Sequence, residues 1–75
     1  MKLTVETELG LRIRYLRKKA SLSIEDLALK SDINRNYLSD LERGKRNPTL
    51  KILDKISVAL GITLSELLKG VQGIR

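Results

Sequence analysis

Apolar positions recur at intervals of three and four residues along almost the whole chain, with little alternation at period two. That spacing sets a single apolar stripe on each segment and predicts an all-α fold. The first helix is predicted over about Thr4 to Ala20. Leu9, Ile13, Leu16 and Ala20 fall at i, i+4, i+7 and i+11 and form its inner stripe. Ser21-Leu22-Ser23 breaks the pattern. Ser23 is then the cap of a second helix, about Ile24 to Ser31, with Asp26 as its capping-box partner. Leu27 and Ala28 form its inner face, and Ile24 is partly covered. Asp32-Ile33-Asn34 is the next turn. Asn34 caps a third helix, about Arg35 to Arg43, with Leu38 and Leu41 inside and Gly44 as its stop. After the basic loop Lys45-Arg46-Asn47-Pro48, Thr49 caps a fourth helix, about Leu50 to Leu60. Leu50, Leu53, Ile56 and Leu60 are its expected inner residues, and Gly61 ends it. Thr63-Leu64-Ser65-Glu66 is a capping box that opens a fifth helix, about Leu64 to Lys69. Residues 70–75 read as a frayed tail. Helices this short do not hold alone in water, so all five must share one core. The expectation is a single domain over 1–75 with its core in about 9–68.

Composition narrows the chemistry. With 75 residues there is room for one domain. Aromatic residues are 3% of the chain, so the core is aliphatic and stacking platforms for single-stranded nucleic acid are few. The chain has neither Cys nor His. Disulfides are excluded, the usual ligands of zinc, haem and iron–sulfur centres are missing, and Cys–His and Ser–His triads are impossible. No metal, cofactor or catalytic residue is expected, and the reading is a binding protein rather than an enzyme. The formal net charge of +6 suggests a polyanionic partner, although a charge of this size also serves solubility. No apolar run approaches the ~18 residues of a membrane span. The first six residues carry no secretion pattern, so a cytoplasmic protein is expected, with no membrane partner.

The second and third predicted helices, joined by a turn of about three residues, have helix-turn-helix spacing. The third helix turns Leu38 and Leu41 inward. It turns Arg35, Asn36, Ser39, Asp40 and Arg43 outward. These are short or forked hydrogen-bonding groups suited to base edges and phosphates, and a DNA major groove is wide enough to admit one α-helix.

The residues also carry a resemblance. Gly10-x-x-Ile13-Arg14-x-Leu16-Arg17, Leu22-Ser23-x-Glu25-Asp26-Leu27-Ala28-x-Lys30-Ser31, Tyr37-Leu38-Ser39-x-Leu41-Glu42-Arg43-Gly44-Lys45-Arg46-Asn47-Pro48 and Leu60-Gly61-Ile62-Thr63-Leu64-Ser65-Glu66-Leu67-Leu68 stand in this order and spacing. Together they resemble the phage-repressor/Cro-type (xenobiotic-response-element type) helix-turn-helix family over about Leu9 to Leu68. Within it, the run from Tyr37 to Asn47 most resembles controller proteins of restriction–modification systems. The resemblance implies a lambda-repressor-like DNA-binding domain of five helices. It implies a homodimer that regulates transcription by binding a double-stranded DNA operator with two-fold related half-sites. The third helix of each subunit would lie in the major groove, with half-sites ~34 Å apart. By motif position, Arg35, Asn36, Ser39 and Asp40 are the candidate base readers. Asn34, Tyr37, Arg43, Lys45 and Arg46 fall at backbone-contact positions. Arg17 and Glu42 occur in the family as a structural pair between the first and third helices. Two departures stand out. Ile24 occupies a position where the family usually has a phosphate-touching Gln. Ser21 and Asp32 occupy positions where it often has Gly, and Asp tolerates a left-handed backbone better than Ser does.

Each assignment competes with a plainer one. Arg35 opens a helix, where its charge opposes the dipole, and this favours guanine reading over a solvated role. Asn36 reads adenine or is an exposed polar residue. Asp40 accepts from cytosine N4 or pairs with a neighbouring Arg, and pairing is favoured. Arg12, Arg14, Lys18 and Lys19 read as a solvated basic face. Glu25 and Asp26 form an acidic spot that some family activators turn to RNA polymerase, whereas ordinary helix N-terminal charge is the plainer account. Leu29, Ile52, Val58 and Ile62 exceed what one core needs. A patch near the fourth and fifth helices, with Val58, Ile62 and Leu64, is the expected dimer interface, extended by Val71 and Ile74. The alternative function is a protein-interaction module, such as an antitoxin or antirepressor partner.

Overall fold

The computed structural model describes residues 3–72. Part of the expected tail, including Ile74, and the first two residues of the amino-terminal segment lie outside them. Five helices follow one another: α1 Val5–Lys19, α2 Ile24–Ser31, α3 Arg35–Glu42, α4 Leu50–Leu60 and α5 Leu64–Leu67. There is no strand among the described residues. Compared with the sequence reading, α1 loses one residue at each end, α3 ends one residue earlier, and α5 ends at Leu67 rather than Lys69.

Every helix starts on a side-chain cap. The oxygens of Thr4, Ser23, Asn34, Thr49 and Thr63 each accept from the backbone N–H three residues on. Such a cap satisfies an N–H that the helix itself leaves free. At α2 the box is complete: the Ser23 N–H donates to the Asp26 carboxylate at 2.9 Å, and the Asp26 N–H donates to Ser23 Oγ at 3.0 Å. Two reversals run through residues other than glycine. Ser21 (φ 59°) follows α1, and Asp32 (φ 55°) ends α2. Both sit in the left-handed region, at the two places where the resembling sequences often carry Gly.

Leu9, Ile13, Leu27, Ala28, Leu38, Leu41, Leu53 and Ile56 are buried together. Ile33 and Leu67 join them. The periodicity assigned no inner role to either, because one lies in a turn and the other in a helix of four residues. Several expectations need correction. Leu50 is 67% exposed, since it stands at the open first turn of α4, beyond the edge of the core. Ala20 is exposed at the end of α1. Ile52, Ile62 and Val71, read as surplus or as interface, pack partly against the core, whereas Leu29 and Val58 stay 84% and 70% exposed. Arg12 is half-buried rather than solvated, and its Nη2 donates to the Glu66 carbonyl at 2.7 Å, tying α1 to α5.

The helix-turn-helix is held from behind by α1, which packs against α3. Gly10 makes that approach possible. A Cβ there would stand 2.5 Å from the Glu42 carbonyl oxygen and 2.6 Å from that of Leu41. Next to this contact, Arg17 and Glu42 form a two-pronged ion pair. Nε donates to Oε2 at 2.7 Å, and Nη2 donates to Oε1 at 3.0 Å. Arg17 Nη1 also donates to the Leu22 carbonyl at 2.9 Å. One guanidinium thus ties α1, the turn after it and the end of α3 together.

Candidate nucleic-acid interface

Asp32 ends α2 in a left-handed conformation, and its N–H donates to the Leu29 carbonyl. The chain turns at once, the turn residue Ile33 is buried, and Asn34 starts α3. Asn34 Oδ1 accepts from the Tyr37 N–H at 3.1 Å. This cap occupies the Asn34 side chain and sets the axis of α3. With Leu38, Leu41 and Glu42 buried, the opposite side of α3 faces solvent.

Arg35 and Asn36 are exposed on the first turn of α3, and Ser39 and Asp40 are half-buried on the second. The structure does not leave the charged groups separate. Arg35 Nε donates to Glu25 Oε2 at 2.7 Å across the helix-turn-helix. This hydrogen bond holds the Glu25 carboxyl below its usual range. Asp40 receives two arginines: Arg43 Nη2 donates to Oδ1 at 2.5 Å, and Arg46 Nη2 donates to Oδ2 at 3.3 Å. These bonds, Arg43 first, hold the Asp40 carboxyl below its usual range. The Arg46 guanidinium also lies over the Tyr37 ring, 5.1 Å from its centroid. Tyr37 is partly packed against the core and so forms a fixed platform. Lys45 is exposed in the loop, and its N–H donates to the Asp40 carbonyl at 2.9 Å.

The structure therefore brings nine of the expected positions, Asn34 to Tyr37, Ser39, Asp40, Arg43, Lys45 and Arg46, to α3 and the segments flanking it. Pairing among their side chains was visible in sequence only as the Asp40–Arg alternative. The contact from Arg35 to Glu25 was missed, because ten residues and a turn separate the two. The acidic spot on α2 is also engaged, Glu25 by Arg35 and Asp26 by the Ser23 cap. Val58, Ile62 and Leu64 lie on α4, the following turn and α5, outside this interface. No group of side chains able to hold a metal ion is found among the described residues. None of their helices is long and apolar enough to cross a membrane.

The chain is similar in sequence and fold to known proteins. The helix-turn-helix family profile matches residues 13–67. Control protein C.MunI of Mycoplasma sp. is 45% identical over 69 residues, which cover 91% of this chain and 93% of that protein. The crystal structure of the restriction–modification controller protein C.AhdI from Aeromonas hydrophila superposes with a TM-score of 0.80 at 41% identity, covering 81% of this chain and 92% of that one. The controller C.Esp1396I, solved as a tetramer in complex with its natural 35 base-pair operator, superposes with a TM-score of 0.82 at 30% identity, covering 89% and 88%. With more than half its length matched and these similarities spanning nearly whole chains, the protein belongs to the helix-turn-helix family.

Proposed function

We propose that this protein is a sequence-specific double-stranded DNA-binding transcription regulator of the restriction–modification controller type. It acts as a homodimer on a two-fold symmetric operator at the nucleoid. The observation that carries this reading is the outward side of α3. There Arg35, Asn36 and Ser39 stand on the first two turns of α3, taken as the centre of the contact, and Arg43, Lys45 and Arg46 follow its end, taken as the edge. Forked and short polar groups at the centre read base edges. Cations at the edge neutralise phosphates and fix register. Asn34 and Tyr37 act from below, the first by capping α3 and the second by supporting Arg46. The mechanism is occupancy rather than chemistry: a bound dimer excludes polymerase, or recruits it when placed upstream. Since Glu25 and Asp26 are already engaged within the chain, they serve the helix start and Arg35 in this reading rather than a polymerase contact.

The dimer surface is assigned to the outer side of α4 and α5. Leu50, Asp54 and Val58 follow one another at i, i+4 and i+8, and Leu64 lines a shallow cleft with Leu50, Lys51 and Asp54. Val58 is the main contributor, because Ile62 and Leu64 already spend part of their surface on their own core. Val58→Asp is expected to raise the dimer dissociation constant at least about tenfold, since a carboxylate would be desolvated twice in a two-fold interface. Sedimentation over a dilution series checks this, and an unchanged midpoint removes Val58 from the interface.

Selection of bound sites from a random duplex library, at two salt concentrations, tests the function itself. The expected product is a palindrome with half-sites ~34 Å apart, whose affinity falls steeply as salt rises. Salt-sensitive binding without any enriched motif would instead favour the protein-interaction reading.

A further inference from the structure

We infer that Asp40 is a positioning residue for DNA discrimination: it holds Arg43 and Arg46 ready for phosphate and suppresses binding to random duplex. The inference rests on the DNA-binding reading above.

A carboxylate on a DNA-facing surface opposes every phosphate nearby. Its two oxygens are divided between two arginines, Oδ1 to Arg43 and Oδ2 to Arg46. Arg46 is held on a second side by the ring of Tyr37. A cytosine amino group would have to compete with these bonds for the same oxygens. Each guanidinium has five N–H donors in a fixed fork, and the carboxylate takes one from each. Both therefore keep donors for phosphate. What they lose is rotamer freedom, of which arginine has more than most side chains. The Asp40 side chain, 28% exposed, is shared by both arginines, and Tyr37 backs Arg46. That freedom is therefore already reduced in the free protein, more than for the open Arg35–Glu25 pair, and the specific complex forms with less ordering to do. Binding to random duplex is different. It depends on summed charge and counterion release rather than on a fixed geometry. There Asp40 contributes only repulsion. One residue thus acts in opposite directions on the two complexes, and its net effect is on their ratio.

The test is Asp40→Asn, which keeps the shape and removes the charge. Affinity is measured for the selected operator and for random duplex of equal length, at about 50 and about 200 mM salt. Random duplex is expected to bind about fivefold tighter and the operator about twofold weaker. The ratio between them then falls by about tenfold, a difference of about 1.4 kcal/mol. A repeated site selection is expected to show no single base position relaxed. Asp40→Glu, which keeps the carboxylate, is expected to restore most of the ratio, and the melting midpoints of both variants verify folding. Equal tightening on both duplexes would make Asp40 a repulsive charge and nothing more. Relaxation at one base position would make it a base reader. Either result overturns this inference and leaves the regulator reading intact. A wild-type protein that prefers no duplex overturns both.

Discussion

Arg17→Met is expected to lower the unfolding free energy by about 3–5 kcal/mol. The Glu42 side chain is only 5% exposed, and Arg17, at 12%, is its ion-pair partner. Without the guanidinium, a buried carboxylate faces apolar surroundings with its strongest hydrogen bonds gone. The Leu22 carbonyl also loses its donor. A chain of this length has a total stability of about 4–11 kcal/mol, so the loss is a large fraction of the whole. The intact pair is a different quantity. Replacing both partners with apolar residues of similar volume is often neutral or stabilising. Arg17→Met/Glu42→Met is therefore expected to recover most of what the single change removes. Urea unfolding of the two variants and the wild type checks this. A single variant within about 0.5 kcal/mol of wild type would show that the pair is solvated in solution. DNA binding should follow folding in this series, because Arg17 acts on α3 from behind and touches no ligand surface.

Arg35→Ala is expected to weaken operator binding by about 1–3 kcal/mol at each half-site, and by up to about 6 kcal/mol for a dimer on two half-sites. It should also relax selection at one base position per half-site. The obstacle to this role is Glu25, which holds Arg35 in the free protein. Solvent decides the competition. The two side chains are 52% and 62% exposed, and ion pairs that wet contribute little to stability. Two hydrogen bonds from a guanidinium to guanine, inside a desolvated groove, contribute more. Glu25→Gln should accordingly leave site selection unchanged and tighten binding slightly by freeing Arg35. The measurement is a mobility-shift or fluorescence titration across a panel of single-base operator variants. Uniform weakening on every sequence would assign Arg35 to phosphate rather than to a base.

Much of this architecture is legible in the amino-acid sequence. The α2 and α4 boundaries and four of the five cap residues follow from short-range rules; Thr4, read as the first residue of α1, is instead its cap. A cap is a hydrogen bond over three residues, and an inner stripe repeats within a turn of helix, so both are written in adjacent letters. The left-handed turn positions at Ser21 and Asp32 became visible through the resemblance, as places where glycine is usual. The Arg17–Glu42 pairing likewise came from resemblance and not from spacing, since 25 residues separate the partners.

The sequence by itself determined five helices, the caps of the last four, a helix-turn-helix register and the set of polar residues on the outer side of α3. Only the tertiary structure decided which of those residues are already engaged: Arg35 with Glu25, and Arg43 and Arg46 with Asp40. It also decided that Gly10 lies against the Glu42 carbonyl, that Arg12 reaches α5, and that Leu50 stands outside the core. The division has one physical cause. Helix formation and capping act within a few residues, so their signals are periodic and local. The pairing of side chains from different helices depends on where the turns point those helices. That direction is set by the packing of the whole core, which no local pattern records.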